Sequence, residues 1–178
     1  MAKFYDRIED KLAKFISAQP MFFVATAPKE GRISLSPKGM DTFRVLGPNQ
    51  LAWLDFVGSG NETAAHLLDD GRITIMFNSF SSIPMILRLY GHGRSVKPGD
   101  KEFDSLMAHF TAQKGIRQIF IADIGSVQTS CGYGVPEMEL KGQRDTLENW
   151  CERKSDQELL DYQREKNRQS IDGLPTGL

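Results

Sequence analysis

Two short stretches carry the residues best suited to chemistry. The first, Ile33-Ser34-Leu35-Ser36-Pro37-Lys38-Gly39, alternates apolar and hydroxyl side chains and then presents a lysine at a turn. The second, Gly58-Ser59-Gly60-Asn61-Glu62-Thr63-Ala64-Ala65-His66-Leu67, is a glycine-loosened loop running into a helix start. A strand edge offers hydrogen-bonding groups to a ring system, and helix N-terminal amides with a nearby cation suit a phosphate. Together the two stretches could hold an anionic cofactor. Each also has a plainer explanation. Lys38 alone reads equally as a solvated turn lysine. Ser59-x-x-Glu62 alone reads as a capping box, in which two side chains satisfy free amides without any ligand, and the charge of Glu62 would compete with a phosphate.

A third candidate is Thr129-Ser130-Cys131-Gly132-Tyr133-Gly134-Val135-Pro136. Its hydroxyls, thiol and glycines could cover a bound ring or approach a partner subunit, or simply turn the chain toward its C-terminal helices. Cys131 has no sequence neighbour that would activate it, so the residues give no nucleophile. Trp53 lies in an apolar strand and reads as core, whereas Trp150 lies on a polar helix and is better placed at an interface.

The elements that must position these residues follow from periodicity. Phe4, Ile8, Leu12, Phe15 and Ile16 form one stripe of an N-terminal helix stopped by Pro20. Met21 to Ala27 is an apolar run that reads as a buried strand, paired as a hairpin with Arg32 to Ser36. Thr42 to Leu46 reads as a continuation of that second strand, and Gln50 to Phe56 as the next. A short helix from Ser59 ends at Asp69-Asp70-Gly71. Arg72 to Phe77 and Met85 to Val96 are strands, with Gly91 and Gly93 marking a bulge or close backbone approach. A helix bearing Phe103, Leu106, Met107 and Phe110 is expected to end at Gly115, before a strand from Ile116 to Val127. From about Asp145 the chain is polar and helical, with a second capping box at Ser155-x-x-Glu158 and a thin apolar face of Leu147, Trp150, Leu159 and Tyr162. Turn-linked strands with few crossover helices predict an antiparallel sheet closing into a barrel rather than a doubly wound parallel sheet.

Composition narrows the function classes. At 178 residues the chain fits one domain with a real core, and its net charge of -1 gives no broad pull toward nucleic acid or membrane. No apolar run is long enough to span a bilayer, and Met1-Ala2-Lys3-Phe4-Tyr5-Asp6 lacks the apolar core of a signal peptide. Two isolated cysteines, Cys131 and Cys151, suggest a reduced, cytoplasmic setting. His66, His92 and His109 have no metal-ligand spacing, and Gly91-His92-Gly93 lacks the setting of a dinucleotide fingerprint.

Taken together, Met21 to Ala27, Ile33 to Asp41, Leu51 to Leu67, Leu89 to Arg94 and Val127 to Glu139 resemble the pyridoxamine 5'-phosphate oxidase-like, FMN-binding split-barrel family, in family order over about the first 140 residues. The tail, with Lys166-Asn167 and Ser170 to Pro175, looks like one branch of that family. The resemblance implies a mainly β (α+β) fold: a six-stranded antiparallel split barrel over residues 1–140, with a C-terminal helical extension over 141–178 packing on it. It implies a homodimer with two FMN sites at the subunit interface. Ile33, Ser34, Leu35 and Ser36 would run beside the isoalloxazine ring, with Lys38 near the ring or the phosphate. Ser59, Asn61, Glu62 and Thr63 would take the phosphate, helped by Lys38 or Arg88. Ser130, Cys131, Gly132 and Trp150 would approach from the partner subunit.

Two departures accompany the resemblance. Oxidases of the family usually carry an adjacent arginine and lysine where this chain has Asn61-Glu62, and Ser170 to Leu178 has neither Arg nor His to grip a vitamer phosphate. The expected activity is therefore an FMN-dependent oxidoreductase acting between a small-molecule donor and acceptor, not a vitamin B6 oxidase. The alternatives are a flavin or other planar-ligand binder without turnover, and a barrel that has lost its ligand.

Overall fold

The computed structural model describes residues 2–178; Met1, the first residue of the expected barrel segment, lies outside them. In chain order the elements are β1 (Lys3–Tyr5), α1 (Asp10–Ser17), β2 (Phe22–Thr26), β3 (Ser34–Lys38), β4 (Phe43–Gly47), β5 (Gln50–Phe56), α2 (Glu62–Asp69), β6 (Arg72–Asn78), β7 (Ile86–Val96), α3 (Phe103–Met107), β8 (Ile116–Ser130), α4 (Thr146–Glu152) and α5 (Asp156–Lys166). The strands form one sheet in the order β3-β2-β6-β7-β8-β5-β4, with β1 added beside β8. Every pairing is antiparallel. This is the split barrel expected, with eight strands rather than six.

The sheet curls until its ends face each other. Phe43 of β4 lies edge-on to Phe22 of β2 at 4.9 Å and to Phe77 of β6 at 5.0 Å, although neither strand pairs with β4. These rings, with Trp53 stacked on Phe120 at 5.0 Å, fill the barrel interior. The interior is capped by Ile8, Leu12 and Ile16 from α1 and the segment before it.

β5 and the first half of β8, through Ala122, are buried on both faces. Leu51 and Trp53 face the barrel interior, while Ala52 and Leu54 face a second cluster under α3, built with Leu106, Val96 and Ile119. A strand covered on both sides needs no polar alternation, which is why Leu51-Ala52-Trp53-Leu54 is a continuous apolar run. At Gly91 the register between β7 and β8 shifts, and a side chain there would run into the carbonyl of Asp123. The bulge read from the glycine is therefore a close backbone approach that only glycine allows.

Four local expectations are corrected. Phe4 sits on β1, is exposed, and lies outside the N-terminal helix, which begins at Asp10; pairing with β8 competes successfully with helix extension. β4 does not continue β3 but lies at the opposite end of the sheet; the strand breaks at Met40 and Asp41, both at positive φ. α3 ends at Met107, and Gly115, at φ +86°, instead makes room for the buried Cys151 just before β8. α2 begins at Glu62, not Ser59. Among the described residues, no helix is long and apolar enough to cross a membrane.

Candidate functional site

The two stretches singled out in the sequence meet. β3 brings Ser34, Ser36 and Lys38 to one side of a cavity of about 260 Å³, and the turn from β5 into α2 brings Ser59, Asn61, Glu62 and Thr63 to the other. Alternation along β3 sorts its residues. Ser34, Ser36 and Lys38 line the cavity, while Leu35 is 65% exposed on the other face and Ile33, just before the strand, is 76% exposed at the rim of a neighbouring cavity. β3 ends the sheet path, so its outer edge leaves backbone donors and acceptors free for a ligand.

Beneath the loop lies a buried polar network. The Asp55 carboxylate accepts from Arg117 Nε at 2.9 Å and from Gln118 Nε2 at 2.8 Å. Arg117 Nη1 also donates to the Gly60 carbonyl at 2.9 Å, and Gln118 Nε2 to Asn61 Oδ1 at 2.8 Å. Asp55, Arg117, Gln118 and Asn61 are all buried. Lys38 Nζ stands 3.9 Å from Asp55 Oδ1. Asp55 pairs with Gln118 and Phe56 with Ile116, so Arg117 is the extra residue of a β-bulge. Bulges re-aim side chains, and this one turns a guanidinium out of the apolar strand and under the ligand loop.

The capping box expected at Ser59 does not form. The N-cap of α2 is Asn61, without a side-chain cap. The Glu62 carboxylate is turned elsewhere and accepts from the Ile171 amide at 3.1 Å through both oxygens. The same tail holds the loop from behind, with Asn167 Nδ2 donating to the Gly58 carbonyl at 2.8 Å. Asp172 accepts from the Arg32 amide at 2.7 Å and pairs with its guanidinium. The Arg32 backbone N–H, followed by the Arg32 charge, holds the Asp172 carboxyl below the usual carboxylate range. A second cavity of about 550 Å³ shares Ser34, Ser59, Gly60 and Glu62 with the first and is closed by Lys166, Gln169, Ser170 and Ile171. His66, almost fully buried, lines it and bonds Thr26 Oγ1 through Nδ1 at 3.0 Å.

The remaining predicted residues do not line either cavity of their own chain. Arg88 on β7 donates to Ser130 Oγ on β8 at 3.3 Å. Cys131 is exposed at the end of β8, and a hydrogen bond from the Tyr133 backbone lowers its thiol pKa. Gly132, at φ +67°, packs against the backbone of Met85 and Ile86. Trp150 on α4 lies edge-on to Tyr162 at 5.2 Å, with Lys154 Nζ over its ring at 4.9 Å.

Asp55, Arg117 and Gln118 were not singled out from the sequence, and the tail was noted only for its likeness to one branch of the family. Arg117-Gln118 did carry a signal, since a cation and an amide open an otherwise apolar strand. The tail carried no signal of its contacts to the loop, because those partners lie more than a hundred residues away.

The residues fit a phosphate. Asn61 Nδ2 is buried, lines the first cavity and has no partner among the described residues. Lys38, Arg117 and the hydroxyls of Ser34, Ser36, Ser59 and Thr63 surround it. Both nearby carboxylates are engaged, Asp55 by Arg117 and Gln118 and Glu62 by Ile171. Asp55 is paired with a cation, whereas Glu62 keeps its charge with its oxygens turned to the Ile171 amide, and Lys38 is the cation left to make a charge-assisted bond to a phosphate.

Comparison with known proteins gives the family and the fold. A profile described as pyridoxamine 5'-phosphate oxidase matches residues 8–131. A curated Aspergillus flavus protein, pyridoxamine 5'-phosphate oxidase family protein ustO, is 37% identical over 193 aligned residues, covering 98% of this chain and 78% of that protein. The fold is similar to that of HupZ from Group A Streptococcus, with a TM-score of 0.57 at 16% identity over 69% of this chain and 99% of that one. It is likewise similar to a candidate pyridoxamine 5'-phosphate oxidase from Lactobacillus delbrueckii, with a TM-score of 0.55 at 14% identity over 69% and 94%. With the profile spanning well over half of its residues, this chain belongs to the pyridoxamine 5'-phosphate oxidase family.

Proposed function

We propose that this protein binds FMN and acts as an FMN-dependent oxidoreductase on a small-molecule substrate. The observation that carries the reading is the approach of Ser34, Ser36 and Lys38 to the Gly58–Thr63 loop above the buried Arg117. Ser59, Thr63, Asn61 and Lys38 would hold the phosphate. The free edge of β3 would meet the polar side of the ring. FMN, when bound, supplies the electron-accepting and electron-donating ring; the chain binds it, orients it and surrounds it with hydrogen-bond donors. Arg117 keeps the loop in place through Gly60 and offsets the charge of Asp55.

The assembly proposed is a homodimer with the cofactor at the subunit interface. Ser130, Cys131 and Gly132, which line neither of the two cavities of the candidate site, would face the partner's ring, with Trp150 beside them. The exposed apolar side chains of Tyr133, Met138 and Leu140 that follow support an interface there.

One observation favours a second reading, a flavin binder without turnover. Both carboxylates of the first cavity are tied up within the chain, so neither is free to move a proton. Anaerobic mixing of the FMN-loaded protein with NADH or NADPH separates the two. Bleaching of the flavin band supports the oxidoreductase; a band that no donor bleaches supports the binder.

A further inference from the structure

The C-terminal segment makes three hydrogen-bonded connections to the ligand site, each to a different part of it. Asn167 Nδ2 holds the Gly58 carbonyl at the start of the loop. The Ile171 amide holds the Glu62 carboxylate at its end. Asp172 holds the backbone and side chain of Arg32, two residues before β3. The segment is itself well anchored. Thr176 Oγ1 donates to the Asn167 carbonyl at 2.6 Å, the Ser170 amide to the Leu174 carbonyl at 2.8 Å, and Asn167 and Thr176 are almost fully buried.

We infer that residues 167–172 are a strap that sets the conformation of the ligand loop, with Glu62 as the positioning residue through which the loop recruits it. The inference rests on the reading that this loop holds the phosphate of FMN. It assigns a purpose to an acid that would otherwise oppose a phosphate. With its carboxylate turned to the Ile171 amide, Glu62 fixes the loop at the cost of a negative charge beside the phosphate site. A pre-set loop spares the ligand the entropy of ordering it. Linkage then requires the reverse effect: a ligand that prefers the strapped loop must tighten the strap by the same factor.

Three variants separate a positioning acid from a merely repulsive one. Glu62→Gln keeps an acceptor for the Ile171 amide and removes the charge. Glu62→Ala removes both, and Asn167→Ala releases the other end of the loop. FMN affinity is read from quenching of its fluorescence, and the protection of the loop and tail amides from hydrogen–deuterium exchange with and without FMN. Far-ultraviolet circular dichroism and melting confirm that each variant is folded. The strap predicts that Glu62→Ala and Asn167→Ala each weaken FMN by about tenfold, the loss of one strong hydrogen bond. It predicts that Glu62→Gln stays close to the parent, and that FMN slows exchange at 168–176. Tighter FMN binding by Glu62→Ala, or tail exchange that ignores FMN, overturns it. If the parent takes up no FMN, the flavin reading fails by itself. The strap is then judged in the ligand-free protein: faster exchange at 58–63 in Glu62→Ala upholds it, and unchanged exchange overturns it.

Discussion

Arg117 and Asp55 form a buried ion pair, 2.8 Å from Nη2 to carboxylate, and it stands where the ligand loop leaves the barrel. The pair does two things at once. It neutralises a carboxylate that burial would otherwise penalise, and its spare Nη1 reaches the Gly60 carbonyl. Removing one member of such a pair leaves an unpaired buried charge, which costs far more than the pair contributes.

Arg117→Met is therefore expected to destabilise the protein by about 3–5 kcal/mol. Asp55→Asn combined with Arg117→Met should recover most of that loss, since the asparagine still accepts from Gln118. The double variant should nevertheless bind FMN poorly, because Gly60 has lost its tether. Urea denaturation with an FMN titration checks both halves.

Lys38 is the cation best placed to meet a phosphate directly. Its ammonium lies 3.9 Å from Asp55, too far for a hydrogen bond, and its side chain is a quarter exposed. Lys38→Met should weaken FMN by roughly tenfold, the scale of one charge-assisted hydrogen bond. The melting temperature without ligand should barely move, because a partly exposed pair at this distance contributes little to folding. Equal affinity in parent and variant would remove Lys38 from the site.

The tail should respond to acid in one direction only. Asp172 is held below the usual carboxylate range, chiefly by the Arg32 backbone N–H. A depressed carboxyl contributes stability above its unfolded pKa of about 3.9 and loses it as pH falls through the folded value. Protection factors of the tail amides, corrected for intrinsic exchange, should stay flat from about pH 7 to 5 and drop below about pH 4. Asp172→Asn should lower them already at neutral pH and flatten the profile.

Gly91 and Gly93 share a strand and a motif, yet they should differ. A methyl at Gly91 meets the Asp123 backbone, which cannot move without breaking the β7–β8 ladder. At Gly93 the nearest atom is the end of the Leu67 side chain, 3.1 Å away, which can turn aside, and the Ile121 carbonyl at 3.3 Å is tight without a clash. Gly91→Ala is expected to cost about 3 kcal/mol or more, and Gly93→Ala about 1 kcal/mol, in line with overpacking at rigid and yielding sites. Chemical denaturation of the two variants side by side gives the comparison.

The two capping boxes show how far the sequence could be read. Ser155-x-x-Glu158 forms as its spacing predicts, with Glu158 accepting from the Ser155 amide at 2.7 Å. Ser59-x-x-Glu62 has the same spacing and does not form, because Ile171 takes the carboxylate. Local patterns settled what local contacts decide: the β2–β3 hairpin, the alternation of Ser34 and Ser36, and the close approach at Gly91; Lys38, read as a turn residue, is the last residue of β3. The place of β4 at the far end of the sheet, after the break at the positive φ of Met40 and Asp41, is encoded by no side-chain period. Arg117 stayed hidden because a bulge breaks the alternation that would have assigned its face. The antiparallel barrel and the meeting of the two ligand stretches were legible. The eight-strand count, the buried network and the contacts of the tail were not, since each depends on pairings remote in sequence.

The most direct test of the account is the visible absorption spectrum of the freshly purified protein, with chromatography of whatever heat releases and a thermal-shift titration with FMN. The account predicts flavin absorption bands, released FMN, and a melting temperature that rises with added FMN by mass action. A colourless protein whose melting temperature ignores FMN would contradict it, and would mean that the Asn61-Glu62 loop no longer holds a phosphate.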